Sequence, residues 1–128
     1  MNPETAKWVS KAEGDFHTAR RELRARKAPN YDAACFHAQQ GAEKYLKAVL
    51  VEANQPFSKT HDLLLLLDGC LPFAPLLDAS RPALAILKNF AVHIRYPGDD
   101  ATRADARDVV RRAEAVRIAV RAHLGLPG

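Results

Sequence analysis

Tyr31-Asp32-Ala33-Ala34-Cys35-Phe36-His37-Ala38-Gln39-Gln40-Gly41-Ala42-Glu43-Lys44-Tyr45-Leu46-Lys47-Ala48-Val49-Leu50 is the stretch that decides the fold. Ala34, Cys35, Ala38, Ala42, Tyr45, Val49 and Leu50 recur at steps of three and four, the period of one helical face. Asn30 or Asp32 supplies the N-cap, and Asn54-Gln55-Pro56 ends the helix. Small residues at Ala34, Ala38, Gly41 and Ala42 allow a neighbouring helix to come close. A glycine inside a helix costs about 1 kcal/mol relative to alanine, so packing is the expected reason for Gly41.

The rest of the chain repeats the theme without any strand alternation. Asn2-Pro3 reads as an N-cap followed by proline at the first helical position. Trp8, Ala12, Phe16, Ala19 and Leu23 then form a stripe, with an end expected near Ala28-Pro29. Ser58 or Thr60 is expected to cap a short third helix through Leu67, with His61 and Asp62 in its first turn. Gly69, Pro72 and Pro75 make the next stretch irregular. Ser80-Arg81-Pro82 restarts a helix carrying Leu84, Leu87, Phe90, Ala91 and Ile94, and Tyr96-Pro97-Gly98 ends it. Thr102 and Asp105 form a capping box with Asp in place of Glu. The last helix places Ala106, Val109, Val110, Ala113, Val116, Val120 and Leu124 on its buried face, and Gly125 caps it. The expected architecture is all-α: an up-and-down bundle of four main helices plus one or two short ones, forming a single domain over residues 1–128.

Composition agrees with a globular helical protein and excludes several classes. The 128 residues are 48% hydrophobic and 27% charged, with a formal net charge of +4. Basic and acidic residues are interleaved, so no basic arm or tail is present; anionic partners are permitted rather than required. Cys35 and Cys70 are too few for a disulfide framework and read as small hydrophobes in a reducing compartment. The longest aliphatic run, Leu63 to Leu67, is far short of a membrane span. The N-terminus lacks a basic-then-apolar signal pattern. A soluble cytoplasmic protein with no membrane association is the expectation. No zinc pattern, glycine-rich phosphate loop or Ser/His/Asp arrangement occurs, so neither a metal nor a cofactor is expected.

Three groups of residues carry chemistry. His37, Gln40, Lys44 and Lys47 share one helix face, suited either to phosphate binding or to a solvated outer surface. Ser58-Lys59-Thr60-His61-Asp62-Leu63 offers a helix N-terminus, where an acid is favoured by the dipole and free N–H groups can meet an anion. Lys88-Asn89-Phe90-Ala91-Val92-His93-Ile94-Arg95-Tyr96 is the sharpest: His93 can act as general acid or base, Arg95 can clamp a phosphate, and Tyr96 can stack on a base. Arginine stripes at Arg20, Arg24 and Lys27 and at Arg103, Arg107 and Arg111 lie near Glu22, Asp105, Asp108 and Glu114, and read first as solvated, paired faces.

Three segments, in order, resemble the HEPN domain family, small helical modules of prokaryotes and higher eukaryotes. They are Tyr31 to Gln40 with Glu43-Lys44-Tyr45-Leu46-Lys47, then Lys59-Thr60-His61-Asp62-Leu63, then Arg95-Tyr96-Pro97-Gly98. The resemblance spans about Trp8 to Val120. It implies a homodimer, a minimal nucleotidyltransferase as partner protein, and a nucleotide or RNA as ligand. Other members resemble metal-independent ribonucleases of toxin–antitoxin and defence systems, whose motif is Arg, four to six residues, then His. At that place this chain has Lys88 and His93. A lysine ammonium cannot make the planar two-pronged contact of a guanidinium to phosphate. Arg117 to His123 repeats the spacing at the far end of the last helix and reads as chance. The resulting expectation is a dimeric nucleotide- or nucleic-acid-binding module, with His93 and Lys88 as the catalytic pair if it is an enzyme. Arg95, Tyr96, Lys44, Lys47 and His37 are the expected ligand-binding residues. A purely structural partner subunit is the third alternative.

Overall fold

The computed structural model describes residues 1–93 and 97–128; the side chains of Ala91, Val92 and His93 also lie outside the description. Five α-helices follow in order: α1 (Pro3–Arg24), α2 (Tyr31–Glu52), α3 (Leu63–Cys70), α4 (Arg81–His93) and α5 (Arg103–His123). A 3-10 segment, Pro75–Ser80, leads directly into α4. The four long helices form the up-and-down bundle, with α3 and the 3-10 segment as its short additions.

Local chemistry explains most boundaries. Asn2 caps α1 by accepting from the Glu4 N–H, with Pro3 at the first position; Asn30 caps α2 by accepting from the Ala33 N–H. Thr102 and Asp105 complete the reciprocal capping box of α5. Helix α1 stops at Arg24, four residues earlier than the sequence pattern suggests. Past Leu23 no large apolar residue remains to bury, Ala25 turns extended, and Ala28 takes a positive φ of 45° before Pro29. The start of α3 also differs. Neither Ser58 nor Thr60 is its cap; the Asp62 carboxylate accepts from both Leu64 and Leu65 N–H. One carboxylate satisfies two of the free donors at the positive end of the helix dipole. His61 therefore precedes the helix, and Thr60 instead accepts from the Asp62 N–H.

The core is continuous across all the helices. Phe16, Tyr45, Leu46, Leu63, Leu67, Leu84 and Val116 are fully buried within it. Helix α2 is the central element, with the whole expected stripe from Ala34 to Leu50 buried. Gly41 has the packing reason anticipated for it: a Cβ built there would lie 2.6 Å from Cε2 of Phe16 on α1. The loop before α5 is tied down by Asp32, whose carboxylate accepts from the Ala101 N–H at 2.7 Å. Among the described residues no helix is long and apolar enough to cross a membrane.

Candidate functional site

Helix α2 turns acids and bases inward as well as apolar groups. Glu43 stands three residues before Leu46 and seven before Leu50, so it lies on the buried face and is 2% exposed. One turn later Lys47, 7% exposed, donates to the Glu43 carboxylate at 3.0 Å. Its ammonium also lies 5.7 Å from the Trp8 ring centre and 5.8 Å from that of Phe57. These rings cover the charge and offer cation–π attraction in place of water. Lys47 is thus an interior residue, contrary to the reading of its face as an outer surface.

The open side of Glu43 faces the segment before α3. The His61 ring nitrogen Nδ1 lies 3.1 Å from both carboxylate oxygens of Glu43, while most of the imidazole remains in solvent. The adjacent Asp62 has its own cation: Lys88 of α4 donates to it at 3.1 Å. That ammonium, with the N–H groups of Leu65 and Leu64, holds the Asp62 carboxyl below its ordinary range. Two bonded groups, Lys47–Glu43–His61 and Asp62–Lys88, adjoin through the backbone of His61 and Asp62 and make one polar cluster. Its inner end is buried and its outer end carries two partly or largely exposed donors, His61 and Lys88. The outer end can meet an anion.

The other expected ligand-binding residues on α2 are committed elsewhere. His37 Nδ1 lies 2.8 Å from Asp15 of α1, and Lys44 donates to the other oxygen of the same carboxylate. Asp15 is itself 9% exposed, so the Lys44 ammonium and the His37 ring together satisfy a nearly buried carboxylate. The structure does not bring His37 and Lys44 together with Lys47. Of the sharpest sequence group, Lys88 joins the cluster. His93 is the last residue of α4 and its side chain, with Arg95 and Tyr96, lies outside the described residues.

A second network had no counterpart in the sequence reading. Arg117 grips Glu13 with two bonds of 2.8 and 2.9 Å, and the Tyr45 hydroxyl donates to Glu13 at 2.6 Å while accepting from Arg121 at 3.0 Å. The guanidinium of Arg117 is the chief reason the Glu13 carboxyl is pulled down to about 2. Burial, and then the bond to Glu13, push the Tyr45 hydroxyl up to about 12. This network closes α1, α2 and α5 together and explains Arg117 without a nuclease role. The signals for the missed acids were present. Asp15 stands three residues after Ala12 and four before Ala19, on the apolar stripe, and Glu43 is in register with Leu46 and Leu50.

The HEPN domain model matches residues 5–123, nearly the whole of this bundle. The chain belongs to the HEPN domain family. No curated protein matches it in sequence. Among solved structures it is similar to TT1696 from Thermus thermophilus, with a TM-score of 0.81 and 24% identity over 96% of this chain and 99% of that one. That likeness is one of fold. Among the described residues of this HEPN domain, no group of three or more His, Cys, Asp or Glu side chains is placed to hold a metal ion.

Proposed function

We propose that this HEPN protein is a dimeric, cytoplasmic nucleotide- or nucleic-acid-binding module that acts beside a minimal nucleotidyltransferase. The observation that carries the reading is a pair of side chains that reach solvent from neighbouring anchors: His61, held against the buried Glu43–Lys47 pair, and Lys88, held on the adjacent Asp62. Burying an ion pair is a poor way to gain stability, since desolvation offsets much of the attraction. A role in holding His61 at a fixed place accounts for it better. Phosphate is the natural ligand for an imidazole and an ammonium presented together. The dimer reading draws on Leu65, Phe73 and Leu76, large apolar side chains exposed on α3 and the segment after it, Leu76 at 90%.

The test is calorimetric titration of nucleoside mono- and triphosphates into the purified protein and into a His61→Ala/Lys88→Ala variant of unchanged helicity. Saturable binding lost in the variant supports the reading. Equal binding in both, or none in the wild type, refutes the site. Light scattering of the wild type beside Leu76→Glu tests the dimer.

A second reading, a metal-independent endoribonuclease using Lys88 and His93, draws on Lys88 reaching the surface of the helix that His93 ends. Against it, a lysine lacks the guanidinium fork that grips a phosphate from two sides. RNA cleavage in EDTA that disappears in His93→Ala would favour it over the binding module.

A further inference from the structure

The two arginine stripes that the sequence presents as separate solvated faces approach one another at one end, where Arg20 and Arg24 of the first and Arg103 of the second border adjoining hollows. A concavity of about 650 Å³ is lined by His17, Arg20, Arg21 and Arg24 together with Ala25. A second, of about 320 Å³, shares Arg24 and Ala25 with it and adds Arg26 and Tyr31 from beyond α1 and Arg103 from the start of α5. Among the described residues no carboxylate lines either hollow. Arg20 is bound to Glu114 at 2.6 Å. Arg21, Arg24, Arg26 and Arg103 are exposed, and every arginine ion pair of the described residues involves other arginines.

Helix energetics account for part of this arrangement and not the rest. Arg21 and Arg24 stand in the last turn of α1, where a cation is favoured by the helix dipole. Arg26 lies past the helix end. Arg103 occupies the first position of α5, the positive end of that helix, where a cation is disfavoured. Placing it across a hollow from two more guanidinium groups adds like-charge repulsion. A bound polyanion relieves both costs. Glu22 and Asp32 are turned to backbone N–H groups, of Asn30 and Ala101, and Asp32 with Asp100 lines the neighbouring hollow beyond Tyr31 rather than these two.

We propose that these joined hollows bind the sugar–phosphate backbone of single-stranded nucleic acid, with Arg21, Arg24, Arg26 and Arg103 on phosphates and Tyr31 as a stacking surface for a base. The proposal rests on the nucleic-acid branch of the functional reading above and gives it a surface distinct from the His61–Lys88 cluster. A single phosphate would not span two hollows, whereas a strand with a phosphate every few ångströms does. The half-buried Tyr31 ring offers the aromatic face that strand-binding grooves combine with positive charge. A lipid surface fits less well, because none of the large apolar side chains exposed among the described residues lines either hollow.

The experiment is fluorescence anisotropy with labelled 12-nucleotide RNA and DNA of one mixed sequence, between 50 and 200 mM salt. It compares the wild type with Arg24→Gln/Arg26→Gln/Arg103→Gln, with Lys7→Gln/Lys11→Gln as a charge-loss control, and with His61→Ala/Lys88→Ala. The arginine variant is expected to bind at least about tenfold more weakly, with the salt slope reduced by about 2, since each phosphate contact on a single strand contributes about 0.7. The control keeps wild-type affinity. An arginine variant that binds like the wild type overturns the proposal, even if the His61/Lys88 variant loses nucleotide and the functional reading survives. The reverse pattern upholds the proposal and removes the His61–Lys88 site. A wild type that ignores both strands, or binds only phosphatidylserine vesicles, also overturns it, and the nucleotide titration then reports separately on the functional reading.

Discussion

Replacing Gly41 by alanine is expected to destabilise this protein although it improves the helix. Glycine in a helix interior is worse than alanine by about 1 kcal/mol, so propensity alone favours the change. The added methyl, however, would sit 2.6 Å from Cε2 and 2.7 Å from Cδ2 of Phe16. Carbon atoms prefer about 3.5–4.0 Å, so ring and helix must part by roughly 1 Å. Phe16 cannot swing aside into water, because it is wholly buried against Tyr45 with ring centres 6.0 Å apart. Overpacking costs about 1–3 kcal/mol, and contacts this short on a wholly buried ring belong to the upper part of that range, about 2–3 kcal/mol. The net expectation is a loss of about 1–2 kcal/mol, or roughly 4–8 °C in Tm for a chain of this size. Gly14 is the internal comparison: it lies in α1 and a Cβ there meets nothing within 4 Å. Gly14→Ala should therefore gain about 0.5–1 kcal/mol. Urea unfolding of the two variants, with equal m-values, gives the answer. A Gly41→Ala protein as stable as the wild type would refute the packing argument. Adding Phe16→Leu to Gly41→Ala should recover part of the loss, giving a coupling above about 0.5 kcal/mol.

Other outcomes follow from the polar interior. Glu13 has a carboxyl near 2 in the folded chain against an ordinary 4.5, so its contribution is complete above pH 4.5 and is lost as pH falls toward 2. With a quarter of its side chain exposed, that contribution is about 1–2 kcal/mol after solvent screening, and Glu13→Gln should flatten the acid limb of a stability–pH curve. Lys47→Met leaves the Glu43 carboxylate buried without its closest cation and should cost about 3 kcal/mol; adding Glu43→Leu should restore most of it in a urea double-mutant cycle. Burial raises the thiols of Cys35 and Cys70 to about 12, so a thiol-labelling reagent at pH 8 should react with the native protein only through unfolding, and fast labelling would contradict the packing around both.

The bundle was legible because each long helix carries its own apolar stripe and its own stop. The Thr102–Asp105 box and the glycine after α5 are local signals that the structure repeats residue for residue. The errors of extent fall where two local signals compete. At Arg24 the arginine-rich run is helix-compatible in propensity, yet nothing in it can be buried, and packing wins over propensity. Before α3, Thr60 and Asp62 are both good caps, and the carboxylate prevails because it can satisfy two N–H groups at once. The site was harder to read, because its polarity is turned inward. His37, Lys44 and Lys47 share a face by spacing alone, but His37 and Lys44 meet Asp15 only because α1 packs on α2, while Lys47 turns to Glu43 of its own helix beneath Trp8 and Phe57. Asp15 and Glu43, the acids that divide them, are visible only as charges that interrupt apolar stripes. The convergence of Arg24, Arg26 and Arg103 depends on how the chain brings the start of α5 to the end of α1, which no local pattern encodes.

The grip of Arg117 on Glu13 has a consequence for how the chain is made. Helices α1 and α2 are neighbours in sequence and form a hairpin as soon as both exist, with Asp15 receiving His37 and Lys44 from within it. Glu13, in the same hairpin, waits for a guanidinium 104 residues away. During synthesis the early hairpin must keep that carboxylate, and the surface later covered by α5, open to water or to a chaperone. Ribosome-bound chains stalled before Arg117 should therefore be cut by protease in the α1–α2 hairpin far faster than chains released with α5 in place.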